Sequence, residues 1–215
     1  MDTRIDHFMY ATASLDEGMA WAQDVFGIQP AYSGEHLGLG TRNALLSLGS
    51  AYLEIIAPDP AQSLEGTLGE QFAGLSSGGL VTWAAEGDLA KVQAALLSCG
   101  IRSAGPKQTR RKTPDGELLE WALLFPIGAT HGLRMPFFID WQRCVHPRET
   151  SPMAGTFQSL SITTPDPDDL RQVLAEIGLK VSISEGEPGL DVLIAARGGV
   201  VQLTSTEETR SLSLI

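Results

Sequence analysis

Two polar residues in strand-like apolar segments are the first candidates for chemistry. His7 lies near the N-terminus, where strand alternation places it on the face opposite Phe8 and Tyr10. Glu54 stands in an otherwise apolar run, where an ionised carboxylate is unfavourable unless it is paired or faces a cleft. His7 could instead be a core histidine with satisfied nitrogens, and Glu54 an edge-strand charge in water. Because buried carboxylates often serve as general bases, the pattern favours a functional role for both residues.

A glycine-rich stretch at 34–40 predicts a loop that can approach a ligand closely. It contains His36 and is followed by Arg42 and Asn43. These two side chains could bind a carboxylate or an amide of a substrate, or they could close a β-turn. The stretch is not a nucleotide-binding fingerprint, because no strand-to-helix turn surrounds it.

Tryptophans in predicted strands are further candidates for the wall of a site. Trp83, Trp121 and Trp141 would ordinarily be core residues, but in a cleft they supply flat apolar surfaces. Asp140 is a polar residue in an apolar run, as Glu54 is, and we include it among the predicted substrate-binding residues.

Composition excludes several classes of protein. Of the 215 residues 43% are hydrophobic, which is enough for a buried core, and the net charge of −11 disfavours binding to nucleic acid or anionic membranes. No apolar run approaches the roughly 20 residues needed to span a bilayer, and the N-terminal segment has no signal-peptide core. We therefore expect a cytoplasmic protein.

The two cysteines, Cys99 and Cys144, lack metal-pair spacing and predict ordinary reduced thiols. Cys144 and His146 are spaced for a nucleophile and base, but the neighbouring Pro147 and Arg148 favour a linker.

Positive charge is concentrated between residues 102 and 148, where eight bases face four acids. This island could attract an anionic small molecule, or it could be a solvated loop. Its run 110–112 is either a solvated stretch or a mobile basic flap over a ligand.

A strand, a helix and further strands follow one another three times along the chain. Ser14 and Glu17 are spaced as a capping box at the start of the first predicted helix. Gly27, Gly100 and Gly178 end the three helices, 73 and 78 residues apart. The pattern predicts an α+β protein of three βαβββ modules: modules 1–57 and 79–143 form a domain over 1–150, and a third module occupies 151–215. Linkers are expected near 58–78 and 144–155.

Several separated motifs follow one another along the chain. They are IDHFMYA at 5–11, EHLGLGTRNALL at 35–46, YLEII at 52–56, TPDGE at 113–117 with Trp121, and MPFFIDW at 135–141 with His146 and Pro147. Together these motifs resemble the glyoxalase-like domain family of the vicinal oxygen chelate superfamily (glyoxalase/bleomycin resistance/dioxygenase). The resemblance extends from Ile5 to Pro147, and it implies that the first two modules pair around a U-shaped cleft.

The family's metal ligands lie on the first and last strands of each module, which implies His7 and Glu54 as ligands. Imidazole and carboxylate suit Zn, Mn, Fe or Ni, and they suit acid–base chemistry equally well. The other modules offer Val81, Ser159 and Gln202 at the corresponding positions. Because a catalytic metal normally has three protein ligands, both a divalent-metal enzyme and a metal-free protein stay open.

These observations predict a glyoxalase-like enzyme of lyase, isomerase or dioxygenase type that acts on a small oxygenated, anionic metabolite. The alternative is a metal-free protein that binds or sequesters a small molecule. We also expect a homodimer, since the third module lacks an internal mate, and no nucleic-acid or membrane partner. The predicted catalytic and metal-binding residues are His7 and Glu54, and the predicted substrate-binding residues are His36, Arg42, Asn43, Trp83, Trp121 and Asp140.

Overall fold

The computed structural model describes residues 2–112, 118–128 and 131–213, and within them it contains twelve strands and six helices. The strands are β1 (Arg4–Ala11), β2 (Ala31–His36), β3 (Thr41–Ser47), β4 (Tyr52–Pro58), β5 (Gly79–Glu86), β6 (Arg102–Lys112), β7 (Leu118–Ile127), β8 (Phe137–Asp140), β9 (Gly155–Thr164), β10 (Ser182–Glu185), β11 (Gly189–Ala196) and β12 (Gly199–Thr204). The helices are α1 (Leu15–Phe26), α2 (Leu68–Ala73), α3 (Leu89–Ser98), α4 (Pro147–Thr150), α5 (Pro167–Glu176) and α6 (Glu207–Arg210).

The first two modules form one eight-stranded sheet of order β2-β3-β4-β1-β5-β8-β7-β6. In each half the first strand pairs in parallel with the last, β1 with β4 and β5 with β8. The halves join through the antiparallel pair β1 and β5. This arrangement confirms the α+β class and the paired βαβββ modules.

The helix boundaries follow the capping residues that the sequence predicts. Ser14 and Asp88 are the N-caps of α1 and α3, and each accepts hydrogen bonds from backbone N–H groups of the first turn. Gly27, Gly100 and Gly178 have φ of 69°, 76° and 87°, in the left-handed region that glycine adopts without strain. Each helix therefore ends where its glycine allows the chain to reverse.

The third module has the predicted βαβββ succession but a different strand order, β10-β9-β11-β12. Its apolar residues belong to the same core as the helix side of the large sheet, and Phe157 packs on Phe8 with ring centroids 5.1 Å apart. The module thus buries its apolar face within the chain. An unpaired module is therefore no longer an argument for the homodimer, which stays a prediction.

Two segments that the sequence analysis treats as loops are strands. The predicted loop containing His36 begins inside β2, which pairs with β3. The basic run 110–112 lies in the edge strand β6, where Arg110 pairs with Glu120 of β7. The basic run is therefore part of a hydrogen-bonded strand and is not a loop.

The predicted linkers contain the short helices α2 and α4. Residues 113–117, which carry one of the family motifs, lie outside the described residues. In the described part of the chain, no helix combines the length and apolar character needed to cross a bilayer.

We expect Gly69→Ala to lower stability, because Gly69 packs against the turn that carries His36. A Cβ at position 69 would lie 2.0 Å from the carbonyl oxygen of Gly40, and overpacking of this kind costs about 1–3 kcal/mol. Thermal or urea unfolding measures the loss. Gly198→Ala is the control, since apart from the adjacent residues of the chain no atom lies within 4 Å of the added methyl group. Equal stability of the two variants would contradict the close packing.

Candidate active site

The site lies on the face of the large sheet opposite α1 and α3, which we call the cleft face. Two apolar clusters cover much of this face. One contains Met9 and Ala11 of β1 with Phe72 of α2, and the other contains Tyr52 and Trp121. His7 and Glu54 supply polar groups on the same face.

His7 and Glu54 face each other, as the alternation of β1 and β4 requires. Their Nε2 and Oε2 atoms are 3.5 Å apart, and the two residues are only 3% and 6% exposed. The imidazole stacks on Tyr52 with ring centroids 4.5 Å apart, and Phe137 meets it edge-on at 5.3 Å. Two aromatic rings therefore fix the ring plane of His7.

A β-bulge explains why Asp6 also reaches His7, although neighbouring strand residues normally point to opposite faces. In the β1–β5 ladder Ile5 pairs with Ala85 and His7 with Ala84, so Asp6 is the extra residue. Bulges re-aim side chains in this way. The Oδ1 atom of Asp6 is 2.5 Å from Nδ1 of His7.

Asp6 is fully buried and accepts hydrogen bonds from three side chains. Besides His7, Nε2 of His146 donates to Oδ2 over 2.7 Å, and the indole N–H of Trp141 donates to it over 3.0 Å. Burial alone would raise the pKa of Asp6, but the hydrogen bonds that His146 and His7 donate hold that pKa well below its usual range. Asp6 is therefore a carboxylate at neutral pH.

The hydrogen-bond partners assign the protons of the two histidines. Nδ1 of His146 accepts the backbone N–H of Arg148 over 3.1 Å, so its Nε2 carries the proton given to Asp6. Nδ1 of His7 donates to Asp6, which leaves Nε2 of His7 facing the carboxylate of Glu54. An imidazole lone pair and a carboxylate oxygen repel each other unless a proton or a cation lies between them. The site is thus built to hold positive charge at this point.

Glu54 is held from its other side by Asn43. The amide Nδ2 of Asn43 donates to Oε1 of Glu54 over 2.6 Å and lies 3.3 Å from Nε2 of His36. His36 Nε2 is 3.7 Å from the same carboxylate oxygen, and its Nδ1 is 3.0 Å from Oγ1 of Thr41. The structure therefore brings together four predicted site residues, His7, His36, Asn43 and Glu54.

Two other predicted substrate-binding residues point away from this group. The guanidinium of Arg42 is 3.9 Å from Asp16 of α1. Trp83 is fully buried in the core on the helix side, and its indole N–H donates to the carbonyl oxygen of Arg134 over 2.8 Å. Both residues alternate onto the sheet face opposite His7.

Trp121 lies on the cleft face and packs against Trp141 in the cluster that includes Tyr52. Asp140 instead accepts the backbone N–H of Gln142 over 2.8 Å and so shapes the turn after β8. Sγ of Cys144 contacts the backbone carbonyl oxygen of Glu120. The two ring nitrogens of His146 are bound elsewhere, one to Asp6 and the other to the backbone N–H of Arg148. The nucleophile–base reading of that cysteine thus has no support in the geometry.

Asp6 and His146 are site residues that the sequence patterns do not predict, and Trp141, predicted as an apolar wall, is also a hydrogen-bond donor to Asp6. A charged residue directly before His7 in an apolar strand was a usable signal. Strict alternation, however, would place Asp6 on the face opposite His7, and the β-bulge that brings Asp6 to the same side cannot be predicted from the alternation. The contact with His146, 140 positions further along the chain, leaves no trace in local sequence.

Asp6, Glu86 and His146 form a possible metal-binding group, since three of their ligand atoms lie within 4.8 Å of one another. The contacts they already make fit a metal ion poorly. His146 points a proton at Asp6, and Glu86 is paired with Arg4 at 2.8 Å and lies 3.7 Å from Arg148. A divalent cation would have to displace these protons and approach two guanidinium groups.

His7 and Glu54 have a better spacing for a metal, because tetrahedral zinc ligands at about 2.0–2.1 Å lie roughly 3.3 Å apart. Among the described residues, however, His7 and Glu54 do not belong to a group of three ligand atoms within 4.8 Å of one another, and the amide of Asn43 already donates to Glu54. In the described part of the chain neither group is a complete metal centre.

A profile of the glyoxalase-like domain family matches residues 5–178. The chain belongs to this family. The match extends beyond the motifs at 5–147 into α5 of the third module. A search of curated protein sequences finds no match to this glyoxalase-like chain.

Two hypothetical proteins of solved structure share the fold at low sequence identity. A hypothetical protein from Staphylococcus aureus aligns with a TM-score of 0.66 and 17% identity, over 94% of this chain and 88% of that one. A hypothetical protein from Bacillus halodurans C-125 aligns with a TM-score of 0.50 and 15% identity, over 67% and 99%. Methylmalonyl-CoA epimerase from Mycobacterium tuberculosis aligns with a TM-score of 0.48 and 23% identity, over 64% and 87%.

We expect Asp6→Asn to lower the free energy of unfolding by about 3–5 kcal/mol at pH 7, because it breaks a buried charged network. The pKa of Asp6 is lower in the folded protein than in the unfolded chain. Its contribution is therefore complete above about pH 5 and is lost as the pH falls below about 4. Urea unfolding at pH 7 and pH 3 should show that acidification lowers the free energy of unfolding less in the variant than in the wild type.

Asp24→Asn is the matched control, because Asp24 is exposed on α1. This substitution should leave the pH dependence of the free energy of unfolding as it is in the wild type. If the Asp6 variant behaves like this control, Asp6 is not the buried carboxylate described above.

Proposed function

We propose that the protein is an enzyme that moves a proton on a small oxygenated metabolite, with His7 and Glu54 as its acid–base pair. The supporting observation is the 3.5 Å approach of Nε2 of His7 to Oε2 of Glu54 in a buried site. Proton transfer at a carbon next to a carbonyl group needs a base and an acid within hydrogen-bond reach of one substrate. The reaction class is accordingly that of an isomerase or lyase.

Each neighbour of the pair has a defined part in this proposal. When Nε2 of His7 takes a proton, the ionised Asp6 at 2.5 Å from Nδ1 stabilises the imidazolium. Asn43 donates a hydrogen bond to Oε1 of Glu54, so that Oε2 faces His7. At this position Oε2 can exchange a proton with the substrate. Burial keeps bulk water from competing for these protons.

The charge around Glu54 favours a neutral carbonyl compound as substrate. Among the described residues, the ion-pair partners of Glu54 within 4.0 Å are His7 and His36. Lys107 and Arg110, part of the basic island, lie in the edge strand β6. An anionic substrate, as the sequence predicts, would need His7 or His36 in the protonated form.

Solvent exchange tests the proposal without knowledge of the natural substrate. The protein is incubated in D₂O with a panel of small aldehydes, ketones and 2-oxo acids, and ¹H NMR follows the loss of the proton next to the carbonyl group. We expect catalysed exchange of at least one compound, lowered about 10²–10⁴-fold by His7→Gln. His131→Gln, which removes a buried histidine paired with Asp169, is the control. Exchange that survives in the His7 variant would contradict the role of His7.

Metal analysis of protein purified without a histidine tag tests whether the pair works alone. We expect substoichiometric metal and exchange that survives dialysis against a chelator, since His7 and Glu54 belong to no group of three converging ligands among the described residues. Stoichiometric metal that disappears in Glu54→Ala would instead make His7 and Glu54 metal ligands.

A protein that binds or sequesters a flat apolar molecule is the second candidate. The aromatic cluster of Tyr52, Trp121 and Trp141 on the cleft face favours it. Quenching of tryptophan fluorescence by a compound that shows no exchange in D₂O would support this role. The homodimer and the cytoplasmic location stay predictions.

A further inference from the structure

The carboxylate of Asp6 joins the two halves of the large sheet at the site. Asp6 and His7 belong to β1 of the first module, whereas Trp141 and His146 follow β8, the last strand of the second. The side chains of Trp141 and His146 thus both donate hydrogen bonds to one buried oxygen, Oδ2 of Asp6.

His146 is itself held in one orientation. Its Nδ1 accepts the backbone N–H of Arg148 over 3.1 Å, which leaves Nε2 as the donor. The ring is 5% exposed and packs against Trp141 and Tyr52, with centroid distances of 5.4 and 5.8 Å. A histidine restrained in this way is a fixed N–H donor.

We infer that His146 and Trp141 are positioning residues for His7. They bind Oδ2 of Asp6 and so turn Oδ1 toward Nδ1 of His7. With its proton on Nδ1, His7 presents Nε2 to Glu54. The catalytic meaning of this arrangement rests on the proposed function, but the effect on His7 does not.

The effect on the tautomer of His7 requires the directed hydrogen bonds to Asp6, and the volume that His146 fills would not produce it alone. Without the His146 donor, Oδ2 keeps only the longer bond from Trp141 and the carboxylate can rotate. Oδ1 then no longer favours the Nδ1–H tautomer of His7. Partners of this kind orient a histidine and set its tautomer, and their loss typically lowers activity about 10–100-fold.

Two variants at position 146 separate donation from packing. His146→Gln places an amide N–H near the position of Nε2, whereas His146→Leu keeps bulk and removes the donor. Long-range ¹H–¹⁵N NMR spectra at pH 7 report the tautomer of His7, and exchange in D₂O gives kcat and KM.

In the wild type and in His146→Gln we expect His7 protonated on Nδ1. In His146→Leu we expect a mixture of tautomers and a kcat lowered about 10–100-fold at a similar KM. An unchanged tautomer in His146→Leu overturns the inference, as does an equal change in both variants, which would indicate packing alone.

Trp141→Phe gives a second test if the leucine variant does not fold. It removes the indole N–H, keeps an aromatic ring and should shift the tautomer of His7 in the same direction. The outcomes also distinguish the two proposals. A tautomer shift in a protein that exchanges no compound supports the positioning role and contradicts the proposed function.

Discussion

The structure of the site depends on one buried carboxylate, that of Asp6. An ion without solvent contact is stable in a protein only when nearly all of its acceptor capacity is used. Three side chains, His7, Trp141 and His146, meet this requirement. Because they come from both modules of the large sheet, satisfying the charge adds a second connection between the two halves, besides the β1–β5 ladder.

The bulge in β1 connects this electrostatic requirement to the chemistry. A regular strand would send Asp6 toward the helices, where Phe8 and Tyr10 pack. The extra residue in the β1–β5 ladder brings Asp6 and His7 to the same side. His7 then carries its proton toward Asp6 and its lone pair toward Glu54. The family fold supplies the cleft, while this local irregularity decides which nitrogen of His7 faces it.

Much of the architecture could be predicted from sequence, because helix caps, glycine stops and alternation are local signals. The meeting of His7 and Glu54 follows from alternation on two strands, and Arg42 and Trp83 leave the site for the same reason. The strand order of the third module and the contact of Asp6 with His146 are set by packing between distant segments, which local patterns do not encode. The sequence does not predict β2 and β6 as strands, because glycine in the first and basic residues in the second favour loops. Strand pairing overrides these local preferences.

A double-mutant cycle between Asp6 and His7 tests this account most directly. Urea unfolding at pH 7 compares the wild type, Asp6→Asn, His7→Gln and the double variant. If the buried carboxylate holds His7, the two substitutions are not additive, and we expect a coupling of about 1–3 kcal/mol. Effects that add to within about 0.5 kcal/mol would show that the two side chains do not depend on each other, and they would contradict the account.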